Sequence, residues 1–439
     1  MYADRNVAVR VKEDSATWRA WLITWAVCMV LRVGAVAGLG LIASYTFFSE
    51  GLRNAYWYPG YEALAKAIWT LTAGIVPIYV ALHLALHSLI GPLVFSIALR
   101  LNLGRTAAWL AALGVAVMPY YVSMAARQPQ AGSLIVVFAA TFLAFLEWKR
   151  RGFRLLPGLA FGVLGFVLFT MRPNATVNLL LFYAVSAGFV FGAWRRGEHW
   201  RPGVTAILAS GLVFTSLVAG MMAANWVTEG RLSPFPAVSG QNLYIGNNRY
   251  TAAYVRRYDI DSLQDTLHEE FPAGVSPDDD ASLRRSALAF MQANPLQTLE
   301  NTFLKGVRYW DIRLERAERN SLYWNLAYTV PYITYGLLAI VGTALLWSRG
   351  QRFVVLLLGG TAIGFCAPHL LFHGTIRHRM TTEFLLLLLA GYALARLLDA
   401  LRGGALVATI VSLGARARGW ARGLVQRTAR IVQAIGPRH

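Results

Sequence analysis

Arg377-His378-Arg379 stands between two long apolar runs. Two guanidiniums and an imidazole in so short a stretch suit a phosphate or diphosphate, because arginine makes forked hydrogen bonds to phosphate oxygens. Lys305 and Arg308, one helical turn apart before another apolar run, extend this chemistry, as does Arg172 in an Arg-Pro-Asn turn. Carboxylates are scarce nearby, and Glu50 and Glu62 are the two between the first and second apolar runs. Each has a plainer reading, Glu50 as an interfacial carboxylate pairing Arg53 and Glu62 as an acid favoured by a helix dipole. Asn247 and Asn248 close a Gly-Asn-Asn turn, a pattern that serves backbone geometry through the tolerance of Asn for left-handed backbone. Asp278-Asp279-Asp280 reads as a loop capping a helix that begins near Ser282, ahead of a metal site. His83 and His87 lie four apart with no acid close by, and are expected to line a bundle. Arg32, inside an apolar run, is expected to be a buried pairing or cavity residue. Neither metal nor cofactor is expected.

The elements that must hold these residues are set by apolarity. Of 439 residues 56% are hydrophobic and 14% charged, where a soluble domain carries roughly a quarter charged residues. Spanning hydrocarbon takes ~20 apolar residues per helix, and the runs between charge clusters are that long. The pattern predicts an all-α polytopic membrane protein with about ten spans, near 20–48, 77–100, 107–121, 132–147, 155–171, 176–193, 204–226, 322–347, 353–372 and 382–400. Lipid tolerates only helices or closed barrels, and these runs are too long and apolar for barrel strands.

The net charge of +19 does not signal nucleic acid, because of where it lies. Residues 229–320 hold 11 basic and 13 acidic residues, against 30 and 9 in the remainder. The excess flanks the apolar runs, as the positive-inside rule requires. Placing the basic clusters in the cytoplasm puts 23 Lys/Arg on that side and six on the other, with Arg32 inside a helix. Both termini are then cytoplasmic and 227–320 lies outside. Four regions follow: spans over 1–226, an outer domain over 227–320, spans over 321–402, and a tail over 403–439. The tail alternates apolar residues with Arg416, Arg418, Arg422, Arg427 and Arg430, and reads as a helix on the inner leaflet. Cys28 and Cys366 both sit in apolar runs and form no disulfide framework. The first apolar run is too long for a cleavable signal peptide.

Five segments together resemble the bacterial GT-C glycosyltransferases of the family 39 type, relatives of protein O-mannosyltransferases and aminoarabinose transferases. They are Pro59-Gly60-Tyr61; Met171-Arg172-Pro173-Asn174; Asn225-Trp226 through Gly230, then Gly240-Gln241-Asn242-Leu243-Tyr244-Ile245-Gly246-Asn247-Asn248; Ala287 to Trp310; and Gly374 to Arg379. The resemblance implies a GT-C bundle with a small, mainly helical periplasmic domain in a bacterial cytoplasmic (inner) membrane. It implies transfer of a sugar from a polyprenyl phosphate to an acceptor lipid, glycan or protein on the outer face, with inversion. The donor phosphate would fall to Arg377, Arg379, His378, Lys305, Arg308 and Arg172, the base to Glu50 or Glu62, and contacts to sugar or acceptor to Asn247, Asn248 and Tyr58. The chain departs from the family in its short first outer loop and in Gln128-Pro129-Gln130-Ala131, where an acid is usual. A non-catalytic relative that binds a lipid-linked glycan in envelope assembly or export is the alternative.

Overall fold

The computed structural model describes residues 3–38, 59–122, 129–230, 232–234, 239–257, 279–312, 322–372, 374 and 376–402, the side chains of 3–16, 229, 323, 324, 376 and 377 excepted. Glu50, Arg53, Tyr58, Asp278, the Arg377 side chain and the tail 403–439 therefore lie outside the described residues.

All regular structure among the described residues is helical. The helices are α1 (Ala3–Gly38), α2 (Pro59–Leu71), α3 (Val76–Ser88), α4 (Ile90–Arg100), α5 (Arg105–Val117), α6 (Pro129–Arg150), α7 (Leu155–Met171), α8 (Thr176–Arg195), α9 (Arg201–Glu229), α10 (Ser239–Gly246), α11 (Thr251–Arg256), α12 (Asp280–Ala293), α13 (Pro295–Tyr309), α14 (Leu322–Ser348), α15 (Arg352–Leu371) and α16 (Ile376–Arg402). A short 3-10 turn, Pro173–Ala175, joins α7 to α8. Eight described helical segments are long and apolar enough to cross a membrane, and α5 and α7 are shorter apolar helices.

Besides α1, which begins at Ala3 ahead of the expected 20, the sequence expectations differ most from this in three places. The second span breaks at Leu89 into α3 and α4, though 76–100 together has the length to cross. Pro59-Gly60-Tyr61 opens a separate helix, α2. Arg377-His378-Arg379 lies in the first turn of α16, not in a loop: that helix begins at Ile376, ahead of the expected 382.

Helix α16 is the axis of the bundle. On one side α5 presents Ala107, Ala108, Ala111 and Ala112, all buried. A Cβ at Gly391 would come within 2.9 Å of Ala107 O and of Ala111 N, so the two backbones approach as small residues permit. On another side α14 crosses so closely that a Cβ at Gly342 would fall 2.1 Å from Leu389 O. One end of the bundle is knotted by charge. Glu147 accepts from Arg100 at 2.8 Å and from Arg150 and Arg151 at 2.6 Å, tying α4 to α6. Lys149 lies over the rings of Phe189 and Phe353 at that end.

At the opposite end the shorter helices gather. Asp279 caps α12, accepting from the backbone N–H groups of Ala281 and Ser282, as expected of the acidic loop. Its neighbour Asp280 accepts from the N–H groups of Gly240 and Gln241 and so also caps α10. Among the described residues no cluster of His, Cys, Asp or Glu is built to hold a metal ion.

Replacing Gly391 with Val should force α5 and α16 apart and cost about 1–3 kcal/mol. The check is thermal unfolding in detergent, with Gly336→Ala as control, since a Cβ there meets nothing within 4 Å.

Candidate functional site

The segments that carry the family resemblance meet in two groups. In the first, a Cβ at Gly60 would sit 2.3 Å from Thr170 Oγ1, so only glycine lets the start of α2 lie on the end of α7. Pro59-Gly60-Tyr61 is thereby set beside Met171-Arg172-Pro173-Asn174. Arg172 is half-buried in extended backbone at the end of α7. Glu62 is held by Lys66 at 2.5 Å, one turn along α2.

In the second group, Gly246 touches the end of α15 so closely that a Cβ would lie 1.7 Å from Phe372 O. Asn247 Nδ2 donates to Leu371 O at 2.6 Å and to Leu243 O at 2.9 Å. Asn248 Nδ2 donates to Tyr244 O at 2.7 Å, and its Oδ1 accepts from Tyr250 N at 2.8 Å. Both amides, expected as sugar contacts, donate to backbone carbonyls of the turn and its neighbours. Lys305, fully buried, donates its three N–H groups to Gly246 O at 2.9 Å, Leu371 O at 3.1 Å and Phe372 O at 2.9 Å. Burial pulls the Lys305 ammonium down to about 7. The three carbonyls oppose that pull, because a neutral amine has only two N–H groups for three acceptors.

Beside this latch lies a buried charged junction. Arg379 and Glu383, one turn apart on α16, are both fully buried and pair at 3.0 Å. Arg379 NH1 donates to Tyr309 O at 3.1 Å and Asp311 O at 2.7 Å, and NH2 donates to the Tyr328 hydroxyl. The guanidinium also lies 4.0 Å over the ring of Tyr332. Four of its five N–H groups are thus engaged by the protein itself, so the residue expected on a phosphate is directed inward. Arg308, 2% exposed, lies 3.7 Å from Asp311. The His378 ring stacks on His369 at 4.2 Å. The junction therefore assembles Lys305, Arg308, His378 and Arg379 at the meeting of α13, α15 and α16.

Arg32 enters from α1. It is 2% exposed and donates NH1 to Cys28 O at 3.2 Å, while its Nε meets no acceptor. Tyr121 connects it to the pair: the hydroxyl donates to Met380 O at 2.7 Å, accepts from Phe384 N at 2.9 Å, and lies within electrostatic reach of Arg32, Arg379 and Glu383. The charge count is uneven. Arg379 is matched by Glu383 and Arg308 by Asp311. Arg32 and Lys305 have no carboxylate among the described residues. Of the two, only Arg32 lies on a helix long and apolar enough to cross a membrane, where an unmatched charge is expensive.

Sequence reasoning missed Glu383, Asp311, Tyr121 and the tyrosines Tyr328, Tyr332 and Tyr335. The signals were present. Glu383 follows Arg379 by four residues ahead of a leucine-rich run, the spacing of a helical ion pair. The three tyrosines recur at helical spacing on α14. His83 and His87 line the bundle as expected, both buried, with His87 Nε2 3.2 Å from Ser133 Oγ.

Removing one partner of the buried pair should be far worse than removing both. Arg379→Gln should cost about 3–5 kcal/mol, whereas Arg379→Met with Glu383→Leu should recover much of it; unfolding temperatures of the three proteins check this. Lys305 makes stability depend on pH. With its folded pKa near 7 and its ordinary value 10.5, the unfolded chain binds more protons between these limits, so stability should rise with pH across that window. In Lys305→Met the rise should flatten, as unfolding measured at pH 7 to 10 would show. The chain was also set against known proteins: no family model matches it, and no curated protein does.

Proposed function

We propose that the chain is a membrane glycosyltransferase of the GT-C family 39 type. In this reading it moves a sugar from a polyprenyl phosphate to an acceptor on the outer face of a bacterial cytoplasmic membrane. The observation that carries the reading is Arg32, a buried guanidinium on a membrane-spanning helix with no carboxylate beside it among the described residues. A phosphate is the counter-charge such a group accepts, in forked geometry. Two supports stand beside it. The segments that resemble the family pack in two groups, and α13 carries Lys305 and Arg308 into the same junction as α16.

In the proposed reaction the acceptor hydroxyl gives its proton to Glu50 as its oxygen bonds the anomeric carbon. The bond from that carbon to the phosphate oxygen breaks, and the phosphate leaves with the electron pair. Arg32 and Arg377 hold the leaving phosphate. The chain's contribution is positioning and charge stabilisation away from water. The bundle lies with its basic knot in the cytoplasm and 227–320 outside.

One observation favours the non-catalytic alternative. Among the described residues, each buried or half-buried carboxylate near the proposed site is already paired: Glu62 with Lys66, Glu383 with Arg379 and Asp311 with Arg308. A single experiment separates the readings. In proteoliposomes supplied with polyprenyl-phosphate sugars, the enzyme reading expects transfer that falls about a hundredfold or more in Glu50→Gln, the scale of a lost general base. Arg32→Gln should weaken polyprenyl-phosphate binding about tenfold or more, as expected of a lost charged hydrogen bond. Binding that depends on Arg32 without transfer from any donor would establish the alternative. Binding indifferent to Arg32 would remove both.

A further inference from the structure

Helices α8 and α9 form a hairpin through residues 196–200, at the end of the bundle where the basic clusters lie. Its two arms do not close along their length. They are joined deep in the hairpin, where the Tyr183 hydroxyl meets Ser210 Oγ at 2.9 Å. They touch again near the turn, where a Cβ at Gly203 would sit 2.6 Å from Val190 Cγ2. Beyond these contacts α9 packs chiefly against α7, which leaves a cleft on the outer side of the hairpin. The cleft holds a cavity of about 380 Å³ whose lining is wholly apolar, with Val190, Phe191, Val204 and Ile207 in its wall and Trp194 and Trp200 toward the turn.

An apolar cavity opening toward hydrocarbon would by itself take any acyl chain. What selects an occupant here is its rim. Arg195 ends α8 and Arg201 begins α9; both are exposed, and neither has an ion-pair partner among the described residues. The neighbouring Arg196 is different, since Glu198 holds it at 2.6 Å. Trp194 and Trp200, each next in sequence to one of these cations, line the cavity, and Arg201 lies over the Trp200 ring at 5.9 Å. Indole rings favour the headgroup boundary, with the apolar body toward the tails and the polar edge toward water. The order from water inward is thus guanidinium, indole, apolar wall. That is the order of an anionic phospholipid: phosphate, glycerol, acyl chain.

We infer that this hairpin is a binding site for one anionic glycerophospholipid, its phosphate between Arg195 and Arg201 and one acyl chain in the cavity. The site is remote from the junction of Arg32 and Arg379 and does not depend on the transfer reaction. Basic residues at the cytoplasmic end of a helical hairpin attract anionic headgroups additively, and the cavity adds retention of the tail.

Native mass spectrometry of the full-length protein in mild detergent tests this, with phosphatidylglycerol, phosphatidylcholine of the same chains, and glycerol 3-phosphate as probes. The expected result is a phosphatidylglycerol that outlasts phosphatidylcholine at equal concentration. The double variant Arg195→Gln, Arg201→Gln should weaken that lipid about thirtyfold, at roughly the contribution expected of two surface cations. Ala187→Trp, which fills the exposed side of the cavity, should displace both phospholipids from the site. Equal retention of the two phospholipids by the unaltered protein would overturn the inference, as would a preference that survives the double variant. Glycerol 3-phosphate binding as tightly as the whole lipid would likewise overturn it, by removing the tail's part.

Discussion

A carboxylate and a guanidinium, both sealed from solvent, sit one turn apart on the helix against which α5 and α14 pack. Arg379 and Glu383 can be there only because they pair with each other and because surrounding groups take up three more of the guanidinium donors. That requirement reaches outward. Tyr309 and Asp311 must offer their carbonyls where α13 ends, Tyr328 must stand opposite on α14, and Tyr332 must lay its ring under the guanidinium. The ends of α13, α14 and α16 are thus mutually determined by one side chain. The alanine face of α5 and the glycine at 391 then let the axis helix be enclosed at all.

The same logic explains which parts of the molecule could be read from sequence and which could not. Apolar helices are set by hydrophobic length, a local property, so they were legible, eight of them with the length to cross a membrane. The break at Leu89 was not, because the apolar run passes through it unaltered. The start of α16 was misplaced because Arg377-His378-Arg379 looks like a polar loop until tertiary partners bury it. The cap at Asp279 was legible because capping needs only nearby backbone N–H groups. The fates of Asn247, Asn248 and Lys305 were not, because their partners lie at Leu371 and Phe372, far along the chain. Arg32 was recognisable as a buried or cavity-lining residue from its surroundings, whereas its lack of a carboxylate partner emerges only in three dimensions.

This division bears on how cations should be interpreted at a membrane interface. Several positive residues near one another invite a phosphate, but their hydrogen bonds decide whether they can receive it. Lys305 and Arg379 are occupied by the protein; Arg32 is buried with an Nε that has no acceptor. The cations that organise the junction are therefore bonded differently from Arg32.

The latch at Lys305 has a consequence for the order in which the molecule is made. Its ammonium bonds Gly246, already synthesised, and the carbonyls of Leu371 and Phe372, which follow 66 and 67 residues later. Between them lie α14 and α15 in their entirety. During synthesis α13 must therefore wait, with its lysine hydrated, until two more helices have entered the bilayer and the end of the second returns to meet it. Closure of the latch reports that both insertions have occurred with correct topology. A chain that inverted either helix would leave that end on the wrong side of the membrane, and the lysine would never lose its water.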